Sequence, residues 1–294
     1  MLLVRLLKFV KFSHTAFALP FALAAAAVAM SRQWPLVAGT ARTPWWAYFA
    51  PTLAAILGCM VFARTAAMGF NRLADWEIDR RNPRTAGRHL LVSRQQATGL
   101  VIVSSVLFVA CTFFLNRLCV VLAPVALTIV FFYSVTKRFT SLTHLFLGLA
   151  LAVAPVGAWA GVTGDLRDWE PFLLGSAVAL WVAGFDIIYA VQDEAFDRAE
   201  GLHSLVVRLG VRRALVVARC FHGGMVVALG GFGAVAGLHE PFWTGLGVVV
   251  LILIYEHIQA RGLDPRSLNE AFFTANAVIS IGLFLIGTAD IFFL

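Results

Sequence analysis

The sequence predicts an all-α integral membrane protein with about nine transmembrane helices, and three observations carry that prediction. Of 294 residues, 60% are hydrophobic and only 13% charged, too little polar surface for a soluble globule. Apolar runs recur along the chain at a length near the roughly 20 residues that cross a hydrocarbon core of about 30 Å. Basic residues gather in alternate loops, the mark of a fixed topology.

The first run, 14–31, follows Arg5, Lys8 and Lys11; it is long and lacks a small-residue cleavage site, so it reads as an anchor rather than a signal peptide. The second, 46–69, ends on an acidic stretch. Asn116 and Arg117 alone separate the third (97–115) from the fourth (118–134) and read as a tight turn. The fifth and sixth runs are 142–161 and 170–189, the latter leading into a second acidic stretch. The seventh, eighth and ninth are 214–237, 242–258 and 271–291. The whole chain, 1–294, is then one domain.

Seventeen Lys and Arg fall at the amino terminus and in loops after even-numbered helices, against four (Arg32, Arg42, Arg117, Arg167) in the opposite loops. Cytoplasmic loops retain such residues, so the amino terminus and the large polar loops are expected in the cytoplasm and the carboxyl terminus outside. The net charge of +7 follows from this topology and from anionic ligands. No water-exposed domain carries a basic face for nucleic acid. Cys59, Cys111, Cys119 and Cys220 sit in or beside the spans without metal-ligand spacing and read as packing residues.

Chemistry concentrates in two stretches. In "FNRLADWEIDRR" (70–81), Asn71, Asp75 and Asp79 fall at i, i+4 and i+8 and share one helical face, with Arg72 expected off it. In "FDIIYAVQDEAFDRAEG" (185–201), Asp186, Asp193 and Asp197 fall at i, i+7 and i+11, with Tyr189 on the same stripe. Asp75, Asp79 and Arg80 match Asp193, Asp197 and Arg198 at a constant offset of 118. Helices one to four (14–134) and five to eight (142–258) thus pair as two four-helix repeats, with helix nine (271–291) appended. One acidic stripe is most simply a solvated helix face; two, related by a repeat and on one side of the membrane, point to a site.

Oxygen ligands without Cys or His suit Mg²⁺, which binds a few carboxylates and leaves other positions to water and phosphate. A diphosphate substrate follows, and bases stand ready for it: Arg64 before the first stripe, Arg84 and Arg88 after it, and Lys137 and Arg138 in "YSVTKR" at 133–138. His14, and Glu256 with His257, sit at helix ends where an interfacial role is the simpler reading. Asn276 reads as helix-packing glue. A secondary transporter also uses repeats and intramembrane acids, but its site belongs near the midplane, where this chain has hardly any charge.

With these residues assembled, the chain resembles the UbiA family of intramembrane prenyltransferases. The family's Asn-Asp-x-x-Asp-x-x-x-Asp, Tyr-x-x-x-Lys and Asp-x-x-x-Asp motifs correspond to "NRLADWEID", "YSVTK" (Tyr133, Lys137) and "DEAFD", in that order. The opening "VKFSHTAFALPFA" and closing "NEAFFTANAVIS" look like those of members that act on 4-hydroxybenzoate or a related quinone precursor. The resemblance implies helices around a central chamber in a bacterial inner membrane, with the active site at the cytoplasmic face. It further implies that Asn71, Asp75, Asp79, Asp193 and Asp197 hold Mg²⁺ and the diphosphate of a polyprenyl donor. Arg64, Arg84, Arg88, Tyr133, Lys137 and Arg138 then bind substrate, while Asp186 and Tyr189 serve an aromatic acid acceptor, with the chamber's Phe residues facing the cation. Two departures stand out. Arg72 replaces a second acid, as in the subgroup of alternative menaquinone pathways, whose acceptor is a dihydroxynaphthoate, and His89 replaces a common Pro. Sibling acceptors such as haem or a chlorophyll precursor share the same motifs.

Overall fold

In the computed structural model, residues 5–6, 9–10, 18–85, 87, 90–262 and 265–293 are described, and among them all regular structure is helical. The long helices are Leu19–Val37 (α1), Trp45–Ala74 (α2), Arg94–Thr112 (α4), Arg117–Thr136 (α5), Thr143–Thr163 (α6), Glu170–Ala190 (α7), Val211–Ala236 (α10), Glu240–Gly262 (α11) and Pro265–Phe293 (α12). Three short helices, Trp76–Arg81 (α3), Glu194–Ala199 (α8) and Leu205–Leu209 (α9), lie in the loops after α2 and α7. Eight of the described helices are long and apolar enough to cross a membrane. α1, 19 residues long, is less apolar, its second half carrying Arg32 and Gln33. The protein is a multi-pass membrane protein.

Several helices outrun their apolar cores because polar side chains cap them. Ser93 and Gln96 form a reciprocal capping box, which starts α4 three residues before the apolar run. Asn116 makes the expected tight turn and does more than turn: its Oδ1 accepts from Cys119 N at 3.1 Å and its Nδ2 donates to Ala160 O at 2.7 Å, tying α5 to α6. At about 1.5 Å per residue, the 30-residue α2 is longer than a membrane core requires. Its last turn, with Asn71 and Arg72, can therefore extend to the edge of the apolar span.

α7 is the central helix. Trp181, Val182 and Ala183 have no exposed surface, and the helix packs on α6 and α10. Lipid tails are as apolar as Leu, so close backbone approach holds such helices together. Gly148 of α6 supplies one approach: a Cβ there would sit 2.1 Å from Ala179 O of α7. Gly148→Ala should therefore cost about 2 kcal/mol or more of stability, read as a lowered melting temperature in detergent; an unchanged melt would show that the α6–α7 contact yields freely. Among the cysteines, Cys119 is buried and Cys59 and Cys111 half-buried, but Cys220 is exposed on α10, not packed as expected.

Both acidic stripes sit where a long helix breaks. Asp75 separates α2 from α3 with φ −93° and ψ 11°. Asp193 ends a 3₁₀ turn (Val191–Asp193) before α8 with φ −102° and ψ 1°. These are nearly the same sparsely allowed conformation. The six-residue helices that follow begin at Trp76 and Glu194, 118 positions apart.

Candidate active site

A chamber of about 740 Å³ opens inside the bundle. Its deep end is apolar, walled by Ile56, Cys59, Leu115 and Leu166; its other end carries Asn71, Asp75, Asp79, Asp193 and Asp197. Phe108, Phe185, Phe196, Tyr133 and Tyr189 are its aromatic walls. Most of the chain's 25 Phe lie elsewhere.

The first acidic face survives the break in its helix. Asp75 N–H donates to Asn71 O at 2.9 Å and Asp79 N–H to Asp75 O at 2.7 Å, so the three side chains stay on one side. Asp75 is 4% exposed. Its Oδ2 meets Lys137 Nζ at 2.7 Å, while its buried Oδ1 has no partner among the described residues. Burial pushes the Asp75 carboxyl above its ordinary range, against the pull of Lys137.

Arg72 corrects the sequence expectation. It is buried, lines the chamber, and places Nη1 3.4 Å from Asp79 Oδ2. A separation of seven residues is about two helical turns, which brings Arg72 round to Asp79 although it misses Asp75.

The second stripe meets the first through Arg84. Its Nε donates to Asp193 Oδ1 at 2.9 Å, its Nη2 to Asp193 Oδ2, and its Nη1 to Tyr189 OH at 2.8 Å. The guanidinium lies 5.2 Å from the Tyr189 ring centroid. Arg81 pairs with Glu200 farther out, at 2.9 Å. Two loops more than a hundred residues apart are thus clasped across the chamber mouth.

Below the clasp, Arg64 lines the chamber wall with its Nε buried and without a partner among the described residues. Tyr133 lines it too, its hydroxyl 4.0 Å from Met68 Sδ. Arg138 does not line the chamber; its Nη2 donates to Ala74 O and caps the carboxyl end of α2. Arg88, His89, Lys11 and His14 lie outside the described residues. Glu256 and His257 sit apart from the chamber: Glu256 accepts from Asn276 Nδ2 at 3.2 Å, so Asn276 ties α11 to α12 as glue, and His257 lies 3.0 Å from His222.

Asp186 faces the chamber and has a partner the sequence did not disclose. His144, buried at the start of α6, places Nδ1 2.6 Å from Asp186 Oδ2. A lone His in "SLTHLFLG" carries no local signal, because its carboxylate is 42 residues away.

Among the described residues, no three carboxylate, imidazole or thiol groups converge on one point tightly enough to hold an ion. The donors are nonetheless all oxygen, and Asp75 Oδ1 is a buried carboxylate atom with nothing bound to it. That set fits a hard cation such as Mg²⁺, which takes one or two carboxylates and completes its shell with water and phosphate.

Comparison with known proteins agrees with this geometry. Residues 18–278 match the UbiA prenyltransferase family. A 4-hydroxybenzoate octaprenyltransferase of Vibrio atlanticus is 32% identical over 240 residues, 78% of this chain and 82% of its own. One from Methylobacillus flagellatus is 30% identical over 229 residues, 76% of this chain and 77% of its own. A UbiA homolog from Aeropyrum pernix K1 superposes with a TM-score of 0.79 at 31% identity, covering 93% of this chain and 97% of that one. A UbiA homolog from Archaeoglobus fulgidus, bound to GPP and Mg²⁺, shares the fold with a TM-score of 0.69 at 20% identity, covering 98% and 99%.

Proposed function

This chain belongs to the UbiA prenyltransferase family and is a prenyltransferase, and from that premise we propose that it moves a polyprenyl group from its diphosphate to an aromatic acid of the 4-hydroxybenzoate type, in quinone biosynthesis, with Mg²⁺. The observation that carries this reading is a single chamber, apolar at one end and ringed at the other by two clasped acidic rims. An isoprenoid fits the first end and a metal-bound diphosphate the second. The distribution of basic residues among the loops supports a cytoplasmic rim in a bacterial inner membrane, with the carboxyl terminus outside.

Asn71, Asp75 and Asp79 from one rim and Asp193 and Asp197 from the other would hold the ion, and Lys137 and Arg84, now paired with acids, would turn to phosphate oxygens. When bound, Mg²⁺ supplies positive charge to the leaving diphosphate. The chain's own Arg84 and Lys137 supply more, preorganised and partly desolvated. The C1–O bond of the donor breaks with its electron pair on the diphosphate. A ring π pair forms the new carbon–carbon bond, and the proton the ring then loses passes to Asp186, its bonding pair restoring aromaticity. Apolar walls keep water from the allylic cation, and the aromatic rings of the chamber face it.

An acceptor carboxylate is favoured by two buried guanidinium Nε atoms, of Arg64 and Arg72. Both line the chamber and lack an acceptor among the described residues; arginine takes carboxylates through paired donors. A dihydroxynaphthoate carries the same group, and Arg72 keeps it as the second acceptor to test. Purified protein with Mg²⁺ and a labelled polyprenyl diphosphate should yield a prenylated aromatic with one of these acids, and chelation should stop it. Absence of both product and diphosphate release with every acid would refute the reading.

A further inference from the structure

His144 and Asp186 form a pair that no motif contains. His144 is the second residue of α6, 2% exposed, and seven residues after Lys137. Its position is fixed from both sides. Thr143 Oγ1 lies 2.8 Å from Thr136 Oγ1 in the last turn of α5, and His144 Nδ1 lies 2.6 Å from Asp186 Oδ2 on α7. The imidazole's other nitrogen, Nε2, is buried with no hydrogen-bond partner among the described residues.

That asymmetry decides which nitrogen carries the proton. A buried N–H without an acceptor is unfavourable, the more so if charged, so a proton on Nε2 is disfavoured. The proton sits on Nδ1 and donates to Asp186. One oxygen of the Asp186 carboxyl group is thereby tied down. The other, Oδ1, has no hydrogen-bond partner among the described residues. The Asp186 side chain is 27% exposed at a position that lines the chamber.

We propose that His144 is a positioning residue, holding Asp186 so that Oδ1 accepts a hydrogen bond from the ring hydroxyl of the aromatic acceptor. That bond moves electron density into the ring at the carbon beside the hydroxyl, where the prenyl group is to attach. The substrate class it selects is a hydroxylated ring. The inference rests on the reading of the chamber as a prenyl-transfer site, and it adds a requirement on the acceptor that the acidic rims do not impose.

The test uses full-length protein with Mg²⁺, geranyl diphosphate and the acid on which the wild type is active. His144→Leu removes the donor and should lower kcat about thirtyfold, the loss of one hydrogen bond to a charged group. The acceptor KM should rise, while the donor KM moves less than about twofold. His144→Asn places an N–H near the position of Nδ1 and should recover activity to within about threefold of wild type. His144→Gln, whose amide reaches the Nε2 position instead, should not. On an Asp186→Ala background, which removes the acceptor oxygens altogether, His144→Leu should change the residual kcat less than about twofold, because the partner is already gone. If His144→Leu fails to fold, the Asn and Gln variants decide alone. A His144→Leu enzyme within about threefold of wild type overturns the inference, as does Asn no better than Gln with donor KM unchanged. A wild type inactive on every acid sinks the transfer reading and this inference with it.

Discussion

Asp75→Asn and Asp193→Asn are each expected to lower kcat about 10³-fold, equivalent to about 4 kcal/mol of transition-state stabilisation. The two residues occupy matching breaks in the two halves, and both substitutions keep side-chain size while removing charge. At Asp75 the effect follows from burial. Its Oδ2 is on Lys137 and its Oδ1 is buried with no hydrogen-bond partner among the described residues, so a second cation would complete the compensation of the buried carboxylate. Asn would leave the Lys137 ammonium without its counter-charge and any metal without an anionic ligand. At Asp193 the loss is of the carboxylate that receives the Arg84 fork. The measurement is turnover as a function of Mg²⁺. A defect at Asp75 that high Mg²⁺ partly restores fits loss of a metal ligand. Near-normal activity of either variant at limiting Mg²⁺ would remove that rim from the metal site.

The helices were legible because membrane spans announce themselves by composition, and their ends were not, because capping residues such as Ser93 and Gln96 are polar and lie outside the apolar run. The first acidic face was legible across its break, since the backbone bonds from Asp75 to Asn71 and from Asp79 to Asp75 persist. Facing alone misplaced Arg72: a wheel drawn for Asp75 hides that a residue two turns from Asp79 lies beside it. Arg84 was found by its charge, but its partners Asp193 and Tyr189, 109 and 105 residues away, are a tertiary fact. Arg138 had the same credentials and ended as a helix cap. His144 had none. What marks it is a contact with a carboxylate 42 residues away, which spacing on one helix cannot supply.

Arg84→Gln is expected to lower kcat/KM for the prenyl diphosphate about 10²-fold, and Arg84→Lys to recover only part of it. The loop fixes this side chain before any substrate arrives: Arg84 N–H donates to Asn82 Oδ1 at 2.9 Å, and Thr85 Oγ1 donates to Asp79 O at 3.0 Å. From there the guanidinium uses three of its nitrogens at once, two on Asp193 and one on Tyr189, with its plane near the Tyr189 ring. A hydrogen bond to a charged partner contributes about 1.5–3 kcal/mol, so losing the fork in a partly desolvated mouth reaches the expected hundredfold. Lys carries the charge but only as a point, and it can neither span both carboxylate oxygens nor match two phosphate oxygens. On the proposed reading the same fork would serve two partners in sequence. It holds the rims together by Asp193, and a bound diphosphate would compete for it. The Gln variant should therefore lose donor affinity, measured by titration with geranyl diphosphate in Mg²⁺, more than acceptor KM. Equal donor affinity in Arg84→Gln and wild type would confine Arg84 to clasping the loops and leave the diphosphate to Lys137.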